Sequence, residues 1–258
     1  MNGFGAFLQR IIGSKKGKAL FPDNYIDIHS HILPGIDDGA PDMQTTKDLL
    51  LEMSKIGITS FVFTPHVMNG VWDNTSERIL EKLDKIRTEL TQEEQNGFHF
   101  RAAAEYMLDE GFSDLLSQKN LLPVTDNFIL VEMSFMAQPL NLYEILAKIQ
   151  IAGYRPILAH PERYFYLHSD MGEYERLKGA GCYFQMNLLS MSSWYGQDVK
   201  KMAGKLLQEG WYDFTGSDVH HRRHIGKLAD LTTRKRFWEK INPLLDNHRQ
   251  WMEEEDNY

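Results

Sequence analysis

From Tyr25 onward this 258-residue chain alternates short β-rich runs with amphipathic helical stretches, and that alternation restricts its fold more than any other feature. Runs rich in β-branched and aromatic residues occur at 25–29, 60–65, 99–105, 127–134, 155–160, 182–187 and 211–217. Between them, 46–55, 76–93, 142–152 and 200–208 carry apolar residues three and four positions apart, the spacing that gives a helix one buried face. Gly57, Gly97, Gly153, Gly181 and Gly210 stand where helices end and the chain turns into the next strand. Strand-then-helix order, repeated, calls for a parallel sheet covered by helices, because a parallel return needs a crossover. The units could close into a barrel or remain an open doubly wound sheet. No linker or composition shift divides them, so residues 25–258 are expected to form one domain, with 231–252 helical and the final acidic residues a solvated tail.

The chemistry gathers where these strands end. The first run gives I-D-I-H-S-H, with His29 and His31 two apart and therefore on one face of an extended chain. His66 follows in F-T-P-H, Glu105 in A-A-A-E, Glu132 in L-V-E and His160 in L-A-H-P; Asp218 and His220 close the series in G-S-D-V-H. Successive positions lie about one βα unit, roughly 30 residues, apart, and the longer last interval is two units with Asn187 near its middle. In a (β/α) barrel such strand ends meet at one mouth.

Any one of these residues alone would be ordinary, since a histidine after a strand is usually hydrogen-bonded or at the surface. Their coincidence is not. Five of the ten histidines, together with Glu105, Glu132, Asp218 and Asp38 from the loop G-I-D-D-G, would enter one cavity. So many charges packed together are unfavourable without cations. Imidazole and carboxylate without thiolate suit zinc, manganese or ferrous iron. The donors exceed what one tetrahedral ion uses, so two or three ions are expected. Clustered divalent ions suit phosphoester hydrolysis, because they acidify a bound water and hold phosphoryl oxygens.

A net charge of −8 disfavours non-specific nucleic-acid binding, which needs a basic surface. The single cysteine, Cys182, excludes an internal disulfide and fits a reducing, cytoplasmic compartment. No apolar run reaches the roughly 20 residues that span a bilayer. Residues 1–24 read as a basic extension, with Phe4, Phe7, Leu8, Ile11 and Ile12 ahead of Lys15, Lys16 and Lys18; its sharper reading is peripheral docking to a membrane or partner.

At D-I-H-S-H, L-P-G-I-D-D-G, T-P-H, A-E-Y, V-E-M-S, A-H-P-E-R and S-D-V-H the sequence resembles the PHP (polymerase and histidinol phosphatase) family, and within it the bacterial manganese-dependent protein tyrosine phosphatases associated with capsule and exopolysaccharide synthesis. The likeness runs in order from about residue 25 to about 225. It implies an α/β fold, a distorted (β/α)7 TIM-like barrel of the PHP type, with a site holding Mn2+ (two or three ions; Fe, Zn or Mg as alternatives). The implied ligands are His29, His31, Asp38, His66, Glu105, Glu132, His160, Asp218 and His220, with Glu105 bridging and Asp38 and His220 also catalytic. The resemblance further implies that Arg163 contacts phosphate, and that a second arginine, Arg222 or Arg223, follows the last ligand motif.

The implied activity is hydrolysis of phosphotyrosine by a metal-activated hydroxide, on the tail of a tyrosine kinase that regulates polysaccharide synthesis. A small phosphomonoester such as histidinol phosphate is the alternative substrate, and a non-catalytic metal-stabilised scaffold the alternative class. Tyr106, Phe135, Tyr164 and Tyr166, all near strand ends, are candidates for stacking on a substrate ring.

Overall fold

A computed structural model describes residues 20–22, 24–95 and 97–253. The basic extension up to residue 19 and the tail at 254–258, with the expectations that fall on them, lie outside the described residues.

The strands are β1 (Ile26–Asp27), β2 (Ser60–Phe63), β3 (His66–Val67), β4 (His99–Ala102), β5 (Glu105–Met107), β6 (Phe128–Glu132), β7 (Arg155–Ala159), β8 (Tyr183–Asn187) and β9 (Phe214–Gly216). The helices are α1 (Met43–Lys55), α2 (Ser76–Glu89), α3 (Gln92–Gln95), α4 (Phe112–Ser117), α5 (Leu142–Ile151), α6 (Met171–Gly179), α7 (Gln197–Gln208), α8 (Arg222–Thr232) and α9 (Lys235–Glu253). All ladder pairings are parallel, in the orders β1-β2-β4 and β3-β5-β6-β7-β8-β9. A parallel bridge, Ser30 to Val219, sets the chain after β1 beside the chain after β9, and the His31 amide donates to the Val219 carbonyl at 2.9 Å. The result is a mixed α/β fold with a curled parallel sheet.

Two predicted strands are each split. The run 60–65 breaks before His66, because Pro65 has no N–H to give the ladder. The run 99–105 breaks at Ala103 and Ala104, alongside that interruption. The helix expected over 76–93 stops at Glu89, where Leu90 turns extended.

Helix starts follow local chemistry. The Asp42 side chain accepts the Thr45 amide at 2.8 Å to begin α1, and Thr75 does the same for Arg78 in α2. The strands β2, β6, β7 and β8 are buried on both faces over most of their length, as covered parallel strands are, whereas β4 is part-exposed and begins at exposed His99. Along β6, Phe128 and Leu130 join a small inner cluster with Ile28, Val62, Ala103, Ile157 and Phe214. The alternate residues Ile129 and Val131 belong to the larger core that also takes in Leu49 of α1, Ile145 of α5 and Leu206 of α7. This two-residue alternation decides which side chains point into the curl.

Candidate metal centre

The alternation carries on into the functional residues. Glu132 continues the inward series of Phe128 and Leu130, and Glu105 continues that of Ala103. His66 opens β3 directly opposite Glu105 in the register, so the split of the second strand leaves these two side by side. His160 and Asp218 reach the cluster differently. Both have left-handed backbones, with φ of 36° and 52°, uncommon for residues with a Cβ and concentrated at functional sites. At His160 the turn starts a short 3-10 helix, Pro161–Arg163, which brings Arg163 back towards Asp218. Close approach fixes two glycines. A Cβ on Gly216 would sit 2.6 Å from His29 Cβ, and one on Gly39 would sit 1.9 Å from the His31 carbonyl oxygen.

His29, His31, Asp38, His66, Glu105, Glu132, His160, Asp218 and His220 form four overlapping groups, within each of which the donor atoms lie no more than 4.8 Å apart. Glu105 Oε2 stands at the centre, 3.2 Å from His29 Nε2, 3.4 Å from His31 Nε2 and 3.1 Å from His66 Nδ1. His66 Nδ1 is 2.8 Å from Glu132 Oε1, and His160 Nε2 is 3.1 Å from the other Glu105 oxygen. Asp38, half exposed, lies 3.4 Å from His220 Nε2 and 3.6 Å from His66 Nε2.

These donors fit divalent cations. His66 Nδ1, Glu105 Oε2, Glu132 Oε1 and Asp218 Oδ1 are buried and make no hydrogen bond in spite of these short separations, so they point to shared points in space rather than at one another. Ligands about 2.1 Å from a common ion are themselves about 3 Å apart, the spacing seen here. Electrostatics agree. Burial works against a charged His29, yet Glu105 and Asp218 outweigh it and lift the imidazole to about 9. Burial also opposes ionisation of Glu105, but His29 and His66 hold it well below the usual carboxylate range. Glu132 is pushed up by burial and by Glu105. The carboxylates thus demand positive charge, which protons supply here and cations would displace.

Several partners behind the donors escaped sequence reasoning. Asp37 accepts from His31 Nδ1 at 2.8 Å, and Gln185 Oε1 accepts from His29 Nδ1 at 2.8 Å. Both partners can only accept there, which holds a proton on Nδ1 and turns Nε2 to the cluster as the ligating nitrogen. Asn187 donates to Asp218 Oδ2 at 2.7 Å. Asp37 is adjacent to the predicted Asp38, and Asn187 marks the midpoint of the long interval, so these two carried a faint signal.

A cavity of about 370 Å3 opens over the cluster, lined by Asp38, His66, Glu132, His160, Asp218 and His220 and walled by Met68, Trp72, Met107, Phe135, Met136 and Arg163. The Arg163 guanidinium lies between the rings of Phe135 and Tyr195, 4.8 and 4.3 Å from their centroids, and donates to Asp218 Oδ2 at 2.7 Å. Arg222 and Arg223 are not brought to this cavity. Both are exposed at the start of α8, and Arg222 pairs with Asp48 of α1 at 2.7 Å.

Of the proposed stacking aromatics, Phe135 lines the cavity, but Tyr106 and Tyr164 are core residues whose hydroxyls accept the Leu122 and Met133 amides. Tyr166 donates to the Ser134 carbonyl. Trp72, which sequence reasoning passed over, lines the same cavity.

Such a site can hold several cations beside an arginine, the arrangement that phosphoryl transfer uses. Comparison with known proteins agrees. The tyrosine-protein phosphatase YwqE of Bacillus subtilis (strain 168) is 29% identical over 197 residues, 76% of this chain and 77% of that protein. The tyrosine-protein phosphatase CpsB of Streptococcus pneumoniae is 29% identical over 236 residues, 87% of this chain and 97% of that one. A solved structure from work on YwqE and CpsB, there called unique metal-dependent tyrosine phosphatases, has a TM-score of 0.71 at 27% identity, covering 86% of this chain and 94% of its own. A family model, capsular polysaccharide synthesis, CpsB/CapC, matches residues 25–240. With most of its length inside that match, the chain belongs to the CpsB/CapC family.

Proposed function

We propose that this protein is a metal-dependent protein tyrosine phosphatase, built as a single PHP-type domain over residues 25–258 in the form of a distorted (β/α)7 barrel. The observation that carries the reading is the convergence of nine buried or half-buried donors under a cavity that also holds Arg163. All nine, from His29 to His220, are assigned as ligands, and manganese as the resident ion. Bound divalent ions would supply an acidified water and positive charge for the phosphoryl oxygens.

The chain's own residues do the rest. Arg163 grips phosphoryl oxygens with its planar fork, and Phe135 and Tyr195 keep that plane fixed. Asp37 and Gln185 hold the imidazoles in the tautomer that faces the cluster. Asp38 and His220 stand on the open side, where the carboxylate and the imidazole would close the cation site towards the substrate. The substrate is a phosphotyrosine-bearing protein, with the tail of a tyrosine kinase controlling capsule or exopolysaccharide synthesis as the partner, and the compartment is the cytoplasm. Among the described residues no helix is long and apolar enough to cross a membrane.

The test uses the full chain and a phosphotyrosine peptide. Phosphate release should vanish after chelation and return on adding Mn2+. Full activity in protein stripped of metal would end the proposal.

A further inference from the structure

The cavity has a second layer that the metal chemistry does not require. On one wall the Trp72 indole lies flat on His66, with ring centroids 4.7 Å apart and planes 14° from parallel. In the same cavity Phe135 lies on His160 in the same manner, at 5.7 Å and 24°. Each wall therefore begins on an imidazole of the metal cluster and continues outward as an aromatic face, with Met68 and Met107 filling in beside Trp72.

The Trp72 wall is rigidly mounted. Met68 and Trp72 exchange backbone hydrogen bonds across a tight turn at Asn69 and Gly70, where Gly70 takes φ of 72°. Buried Asn74 donates to the carbonyls of His66 and Ile36, tying the turn to the site. Phe135, by contrast, is 46% exposed, a large apolar ring left open to solvent at the mouth. An indole and a solvent-exposed phenyl that line one cavity, each laid on an imidazole of the cluster, suit a flat apolar group attached directly to a phosphoryl oxygen.

We infer that Trp72 and Phe135 determine specificity: they select aryl over alkyl phosphomonoesters by holding the leaving group's ring between them. The inference rests on the phosphatase reading above and adds to it the residues that read the ring of the substrate. Alkyl phosphates such as phosphoserine reach the same cations but leave both aromatic faces uncovered.

Binding rather than turnover tests this, because aryl esters are intrinsically more reactive. Manganese-loaded full-length protein is titrated calorimetrically with phenylphosphonate and with ethylphosphonate, neither of which is hydrolysed. Wild type should prefer the phenyl compound by about tenfold, and Trp72→Ala or Phe135→Leu should each erase about three- to tenfold of that preference, the scale of one aromatic contact. Trp72→Phe, which keeps a ring, should retain most of it. Equal affinity of wild type for the two phosphonates overturns the inference. Parallel weakening of both in Trp72→Ala does so too, since that ring would then only brace His66. Absence of chelator-sensitive phosphotyrosine hydrolysis defeats the phosphatase reading instead, and leaves the phosphonate preference to be judged separately.

Discussion

Two of the cavities among the described residues are similar in size, and their linings differ in kind. One, about 370 Å3, covers the His, Asp and Glu cluster at the ends of the strands. The other, about 300 Å3, lies where strands begin, lined by Ile26, Phe61, Phe98, His99, Phe100 and Arg87. The second has stacked phenylalanines and a cation, but Arg87 already donates to the Phe100 carbonyl and lies 3.2 Å from Asp84. The first holds buried donors with no hydrogen-bond partner, all aimed inward. Volume and polarity alone therefore do not mark a site. Buried donors that converge and are left unsatisfied do, because their desolvation is uncompensated until a ligand arrives.

The sharpest way to break this contrast is to remove the central donor. Glu105→Ala should abolish metal loading by elemental analysis and lower kcat/KM on phosphotyrosine peptide by at least ~10³-fold. His99→Ala in the other cavity should leave kcat/KM within about twofold, as exposed substitutions away from a site do. If the two behave alike, the contrast is wrong.

Arg163→Lys should come next, lowering kcat by about 10²-fold, because an ammonium has neither the bidentate fork nor the flat faces that Phe135 and Tyr195 cover. Arg222→Lys, bound to Asp48 on the outer surface, should leave steady-state rates unaltered. A matching loss in both would restore the second arginine to the site.

Behind the donors, Gln185→Leu and Asp37→Asn should each weaken manganese affinity by about 10- to 100-fold, measured by metal titration, with folding retained in circular dichroism. The least effect is expected at Cys182. Burial pushes its thiol up to about 12, so at pH 8 it stays protonated and shielded. Thiol reagents should label it only on unfolding and leave activity intact; rapid labelling of native protein with loss of turnover would contradict its inert placement.

How much of this was legible beforehand depended on the kind of residue. His31, Glu132 and His160 could be picked out because each follows a β-rich run at the period of the repeating unit. Trp72 could not, since it sits in a turn outside that period and its role comes from lying on His66. Arg222 and Arg223 occupied a plausible place in sequence, yet the start of α8 directs them outward, Arg222 to Asp48. Tyr106 and Tyr164 looked like rim residues, but their hydroxyls cap backbone amides inside the core. Asp37 and Asp38 are neighbours of one kind, and only packing separates the carboxylate behind His31 from the one facing His220.

By itself the sequence determined the inventory: a parallel α/β scaffold, because alternating β and α patterns can bury their apolar faces in few other ways, and a set of donors repeated in phase with it. The tertiary structure decided direction. Left-handed turns at His160 and Asp218, the interruption at Pro65 and the tight seats of Gly39 and Gly216 point donors from distant strands into one small volume. Those orientations come from steric and hydrogen-bond constraints between segments far apart in the chain, which no local pattern records.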